Sequence, residues 1–130
     1  MRVEQLPGVE TEQVSRLRAA GIQNCRQLLR AGQRPERFHI LANSTQMSQE
    51  ALHQLVQRAG LTRIRGVGTR TLSLLFAVGV DSLTALAEQE PETLQARLLL
   101  FATKPPNLAV IEDWILQARQ YHGRRETSPL

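Results

Sequence analysis

The residues of this 130-residue chain that are best suited to chemistry form a short glycine-containing loop flanked by arginines. The loop reads Ile64-Arg65-Gly66-Val67-Gly68, and Thr69 and Arg70 follow it. Glycine adopts backbone conformations closed to other residues and lets a second backbone approach. The exposed amides of such a loop, together with the N-terminus of the helix after it, form a site for an anion. A phosphate fits there without any contact to a base, so the pattern predicts sequence-independent binding to a nucleic-acid backbone.

The predicted site consists of this loop and its basic neighbours. Arginine suits phosphate because its planar guanidinium donates two hydrogen bonds at once. Ile64 and Val67 are expected to anchor the loop in the core between two helices. The predicted nucleic-acid-binding residues are Arg63, Arg65, Gly66, Val67, Gly68, Thr69 and Arg70. An alternative keeps the loop as a tight helical connection that binds nothing.

The charge of the chain agrees with a polyanionic partner. The net charge is +4, and the basic residues are 15 arginines and one lysine, Lys104. Residues 51–80 carry four arginines and no acidic residue. A field of this sign attracts polyanions. A GC-rich genome would give the same arginine bias, and a solvated basic face would give the same local charge, so both alternatives stay open.

The pattern around the loop occurs twice along the chain. When the sequence is shifted against itself so that Gly8 falls on Gly66, Gly21 falls on Gly79 and the apolar positions are in phase. A helix near the end of each copy also matches when the offset is increased by one residue. Its apolar positions Leu52, Leu55, Val56 and Ala59 then fall on Ile111, Trp114, Ile115 and Ala118. The sequence therefore predicts one structural unit that is used twice, each copy taking up nearly half of the chain.

Each copy is predicted to contain four short helices. No segment alternates with the period of two that indicates a strand. Thr11 and Thr69 are expected to cap the first helix of each copy, since threonine is a common N-cap residue. We predict an all-α fold with a first helical unit at residues 1–60, a second at residues 61–122, and a disordered tail at residues 123–130.

The first copy departs from the second at the loop. It reads Leu6-Pro7-Gly8-Val9-Glu10, so it keeps the first glycine and has Glu10 where the second copy has Gly68. Glu10 and Glu12 would repel a phosphate. We therefore expect any phosphate binding to be one-sided and weak.

No constellation of catalytic or metal-binding residues emerges. The three histidines are far apart, without metal-ligand spacing, and Cys25 has no second cysteine or nearby histidine to make it a nucleophile. Glu88, Glu90 and Glu92 resemble a charged helix start more than a catalytic pair. The histidines are His39, His53 and His122. We predict a protein that is not an enzyme and has no metal and no cofactor.

The chain shows no apolar signal-peptide run and no stretch long enough to span a bilayer. We therefore expect a cytoplasmic protein with neither a membrane nor a small molecule as partner. The expected partner is the phosphate backbone of DNA or RNA. The alternative is a protein-protein adaptor or assembly factor whose hairpins are purely structural, because helical repeats present exposed grooves and the acidic C-terminal half could meet a basic partner.

The loop and the helix after it, residues 61–75, resemble the helix-hairpin-helix motif. Over about residues 4–120 the chain resembles an uncharacterised bacterial family, seen for instance in cyanobacteria, with tandem helix-hairpin-helix repeats and only a domain-of-unknown-function label. The resemblance implies two four-helix units in a SAM-like helical bundle and implies almost nothing about activity. Its matching features are Leu6-Pro7-Gly8-Val9, Ala20-Gly21-Ile22, Ile64-Arg65-Gly66-Val67-Gly68, Val78-Gly79-Val80-Asp81-Ser82-Leu83, Pro105-Pro106 and Glu112-Asp113-Trp114-Ile115.

Overall fold

The computed structural model describes the backbone of residues 1–127 and the side chains of residues 1–121. Over this part of the chain the fold is all-α, with eight α-helices and no strand, which confirms the predicted fold class. The chain divides into two compact units, Met1–Thr62 and Arg63–Leu130. None of the described helices is both long and apolar enough to cross a membrane. The tail predicted at residues 123–130 lies outside the residues whose side chains are described, and residues 128–130 also lie outside the described backbone.

The first unit contains four α-helices after a 3-10 turn at Val3–Gln5. The helices are α1 (Thr11–Ala19), α2 (Cys25–Gln33), α3 (Pro35–Thr45) and α4 (Gln49–Gly60). Helix α2 packs on α3 and α4. Its approach to α4 is close, because a β-carbon added to Gly32 would lie 2.6 Å from a methyl group of Val56. The largest fully buried side chains of this unit are leucines 17, 28, 52, 55 and 61.

The second unit also contains four α-helices. They are α5 (Thr69–Ala77), α6 (Leu83–Ala87), α7 (Pro91–Leu98) and α8 (Leu108–Thr127), and a 3-10 turn at Leu61–Arg63 precedes them. Both α6 and α7 pack on α8. Trp114 of α8 is 2% exposed and lies in the core of this unit. The remaining large buried side chains here are Ile64, Leu72, Leu75, Leu86, Leu94 and Leu98.

Residue types at the helix starts explain where three of the helices begin. Asn24 accepts a hydrogen bond from the amide of Gln27, and Ser48 and Ser82 do the same for their helices. The predicted caps Thr11 and Thr69 are wrong by one position. Both threonines are the first helical residue, because the residue before each has extended backbone and its carbonyl accepts the first helical hydrogen bond.

Two turns of the first unit recur in the second with the same backbone geometry. Gly8 and Gly66 have φ of +78° and +92°, and Gly21 and Gly79 have φ of +89° and +86°. The bonded amide–carbonyl pairs also correspond: Val9–Leu6 with Val67–Ile64, and Ile22–Leu17 with Val80–Leu75.

Candidate nucleic-acid interface

The loop before α5 is held in place by two buried anchors. Ile64 and Val67 are 2% and 8% exposed, as the sequence indicates for residues that anchor the loop. Gly66 lies between them at φ +92°, a conformation that other L-residues rarely adopt. A β-carbon at Gly66 would also come within 3.3 Å of the indole nitrogen of Trp114. The backbone conformation therefore favours glycine at this position, and a β-carbon would also require the indole of Trp114 to shift slightly.

A glutamine from α8 fixes the backbone of the loop. Gln117 is 5% exposed and bonds to both sides of Arg65: the Arg65 amide donates to Oε1 at 2.9 Å, and Nε2 donates to the Arg65 carbonyl at 3.2 Å. The same Nε2 donates to Asp113 at 2.8 Å, which fixes the orientation of the amide group. The loop is thus preorganised by side chains that lie far away in sequence, at the other end of the unit.

The first turn of α5 is left open. No residue within the described chain accepts a hydrogen bond from the amides of Gly66, Gly68, Thr69 or Arg70. The Val67 amide differs, because it donates to the carbonyl of Ile64 at 3.3 Å. The amides of Thr69 and Arg70 belong to the N-terminal end of a helix, where the partial charge is positive, and the Gly66 amide lies in the loop before it.

Gly68 has no structural need to be glycine. Its φ is −97° and its ψ is −170°, which other residues adopt readily. An added β-carbon would meet no atom within 4 Å. The missing side chain therefore serves neither backbone conformation nor packing inside the unit. It leaves the space in front of the α5 amides free.

Arg70 stands where helix stability disfavours a cation. It is the second residue of α5, in the first turn, and a positive charge there opposes the helix dipole. The corresponding position of the first unit holds Glu12, whose negative charge suits a first turn. This reversal of charge matches an anion at the α5 start.

In the first unit the corresponding helix start differs at one amide and in its charge. The amide of Glu10, which corresponds to Gly68, donates to Oε1 of Gln13 at 2.9 Å. The loop glycine Gly8 lies against Arg58, since an added β-carbon would fall 2.9 Å from its guanidinium. Glu10 and Glu12 bring negative charge to this start. The two helix starts therefore differ in charge and at one amide, and one-sided phosphate binding stays a prediction.

The three arginines of the site are exposed. Arg63 stacks on the ring of Tyr121, with its guanidinium carbon 4.7 Å from the ring centroid. Such stacking restrains a guanidinium while its charge stays in water. Among the residues whose side chains are described, no carboxylate lies within 4.0 Å of Arg63, Arg65 or Arg70.

Sequence reasoning missed two residues that build this site, Gln117 and Tyr121. A signal for Gln117 exists in the repeat itself, because the offset that aligns α4 with α8 places it on Arg58, the residue that lies against the first loop. Gln117 is also a polar residue on the apolar side of α8, beside Trp114 and Ala118. No comparable signal points to Tyr121.

The remaining candidates hold structural positions. Cys25 is 1% exposed, and burial raises the pKa of its thiol, opposed in part by the positive N-terminal amino group. The Nδ1 atom of His39 lies 2.9 Å from the side-chain amide of Gln49. Glu92 lies in the first turn of α7. The described part of the chain holds no cluster of three metal-ligating side chains, and the side chain of His122 lies outside that part.

Comparison with known proteins gives one match. The family model described as a domain of unknown function, DUF4332, matches residues 7–121. Searches of curated proteins and of solved structures found no match. The family match covers most of the chain and spans both units. The chain therefore belongs to the DUF4332 family.

Proposed function

We propose that this protein is a non-catalytic module that binds the phosphate backbone of nucleic acids, independently of base sequence, at the start of α5. One observation carries the proposal: the first helical turn at Gly68–Arg70 has open amides, a glycine that the fold does not need, and an arginine where the helix dipole opposes one. A phosphate placed there accepts hydrogen bonds from the amides and compensates the charge of Arg70.

We further propose that the two units are copies of one helix-hairpin-helix unit, of which only the second keeps the binding loop. The matched turn geometry at Gly8 and Gly66 supports this, as does the shared position of Arg58 and Gln117 against the two loops. A nucleic-acid partner would place the protein in a compartment that contains DNA or RNA, and the cytoplasm is the location we propose.

The number of contacts sets the expected salt dependence. Three exposed arginines, Arg63, Arg65 and Arg70, allow about three phosphate contacts. On duplex DNA each contact contributes roughly 0.9 to the slope of log K against log salt, so the hairpin alone gives a slope of about −3. Binding of this kind is weak, about micromolar, and falls quickly as salt rises.

The test is fluorescence anisotropy with a labelled duplex over a salt series. Arg65→Gln/Arg70→Gln removes two positive charges at the site and is expected to reduce the slope by about 2 and the affinity by about tenfold or more. Arg16→Gln/Arg18→Gln is the matched control, because it removes the same charge from arginines that already pair with Glu12 and Glu4. Equal losses in both variants would show that net charge alone matters and would refute the site.

A second candidate function, a protein-protein adaptor, rests on a different surface. Leu99, Leu100 and Phe101 follow one another at the end of α7 and are 55%, 78% and 55% exposed. Consecutive large apolar side chains in water are typical of a surface that meets a partner. Leu100→Ser/Phe101→Ser would abolish capture of a protein partner that survives nuclease and high salt, and would leave nucleic-acid affinity unchanged.

A further inference from the structure

The first unit has an arginine row of its own on α2. Its members are Arg26, Arg30 and Arg34, spaced four positions apart, with Arg34 at the C-terminal end of the helix. Residues at this spacing lie above one another on a helix, so the first two share a face and the third follows one turn later. All three are exposed.

This row lies in a second acid-free stretch of the sequence. Residues 13–35 carry five arginines and no acidic residue. The two other arginines of the stretch, Arg16 and Arg18, pair with glutamates. In the part of the chain with described side chains, no carboxylate lies within 4.0 Å of any member of the row. The first unit thus neutralises the arginines of α1 and leaves those of α2 uncompensated.

Helix stability explains only part of the row, because it does not account for Arg26. Like charges one turn apart destabilise a helix by roughly 0.2–0.5 kcal/mol per pair. A cation near a helix C-terminus is favourable, which accounts for Arg30 and Arg34. Arg26 is the second residue of α2, in its first turn, where a cation is unfavourable. The alignment of the two units places Arg26 and Arg30 on Thr84 and Glu88, so the common fold does not require arginine at either position.

The row faces away from the core. Cys25 and Leu28 are the buried residues of α2, and Gly32 packs on α4. Arg26 and Arg30 lie about 130–170° around the helix from the centre of that buried side. The result is a positively charged, solvated strip without an apolar surface of its own.

We infer that this arginine row on α2 is a second contact surface for a nucleic-acid phosphate backbone, distinct from the loop before α5. The inference rests on the proposed function for the class of partner, and it assigns the first unit a binding role that its own loop, with Glu10 and Glu12, does not supply. Arg26 and Arg70 are both the second residue of their helices, where a cation is unfavourable, and a bound phosphate would compensate the charge of each.

The test adds one variant to the anisotropy series with duplex DNA. Arg26→Gln/Arg30→Gln is expected to reduce the salt slope by about 2 and to weaken binding about tenfold at low salt. The control is again Arg16→Gln/Arg18→Gln, which removes the same charge from the same unit. Glutamine keeps helix propensity close to that of arginine, and circular dichroism at the assay temperature confirms that each variant is folded.

The outcomes separate this inference from the proposed function. If the α2 variant binds as the control does while Arg65→Gln/Arg70→Gln loses affinity, the row has no role and the loop site stands. If the α2 variant loses affinity and slope while the loop variant does not, the row is the binding surface and the loop site is wrong. Losses in both variants beyond the control support both surfaces. Absence of duplex binding by the wild-type chain overturns both.

Discussion

Gln117 connects the candidate loop to the rest of its unit, and its replacement by methionine gives the sharpest test of how the loop is held. Gln117→Met keeps the length and most of the volume of the side chain. It removes the hydrogen bonds to the Arg65 amide and carbonyl, at 2.9 and 3.2 Å, and the bond to the exposed residue Asp113. The matched control is Gln120→Met, which makes the same change further along the same helix at an exposed position.

The expected loss follows from two hydrogen bonds between a buried side chain and a backbone. Each contributes about 0.5–1.5 kcal/mol net, so the free energy of unfolding should fall by about 2 kcal/mol. For a unit of this size, about 1 kcal/mol shifts the melting temperature by roughly 4–8 °C, so the midpoint should fall by about 10 °C. The control should change it little, because glutamine and methionine have similar helix propensities.

The assay is thermal and urea unfolding followed by circular dichroism, with amide exchange as a local readout. The Arg65 amide should exchange faster in Gln117→Met, since its acceptor is gone. If Gln117→Met is no less stable than Gln120→Met, and the Arg65 amide keeps its protection, Gln117 does not fix the loop and the preorganisation argued above is wrong.

Three further perturbations probe other features of the fold. Gly66→Ala should lower unfolding free energy by about 1–2 kcal/mol because of its positive φ, whereas Gly68→Ala should change it by less than about 0.5 kcal/mol; equal effects would contradict the distinct roles of the two glycines. Burial raises the pKa of Cys25 above its ordinary value of 9.0, so the thiol ionises at lower pH in the unfolded chain than in the folded one. The free energy of unfolding should therefore decline as pH rises past about 9. In urea titrations, Cys25→Ala should lack that part of the decline. Gly32→Ala should cost about 1–3 kcal/mol by overpacking against Val56, and Val56→Ala should partly rescue it in a double-mutant cycle; additive losses would exclude that contact as the cause.

Much of the fold follows from the sequence because local rules govern it. Helix starts at Asn24, Ser48 and Ser82 follow from side chains that bond to the next turn. The burial of Ile64 and Val67 follows from their place in an apolar pattern.

The parts of the site that could not be predicted depend on contacts far apart in sequence. The bond between Gln117 and Arg65 and the stack of Arg63 on Tyr121 both join α8 to the segment that begins the unit. The sequence treats Gly66 and Gly68 as one motif, whereas only Gly66 has a conformation that demands glycine. The conformation of the backbone is what separates the two roles.

A phosphate site at the start of α5 is tested most directly by the affinity of Gly68→Glu for duplex DNA at low salt, measured beside Gly68→Ala. The glutamate reproduces Glu10, which begins α1 in the first unit, and a carboxylate suits a helix start, so the variant should fold at least as well as the wild type. Gly68→Ala adds only a β-carbon and should weaken binding less than Gly68→Glu does. Gly68→Glu should lose about tenfold or more, because its carboxylate occupies the phosphate position and repels a phosphate there. Undiminished binding by folded Gly68→Glu would contradict a phosphate site at the start of α5.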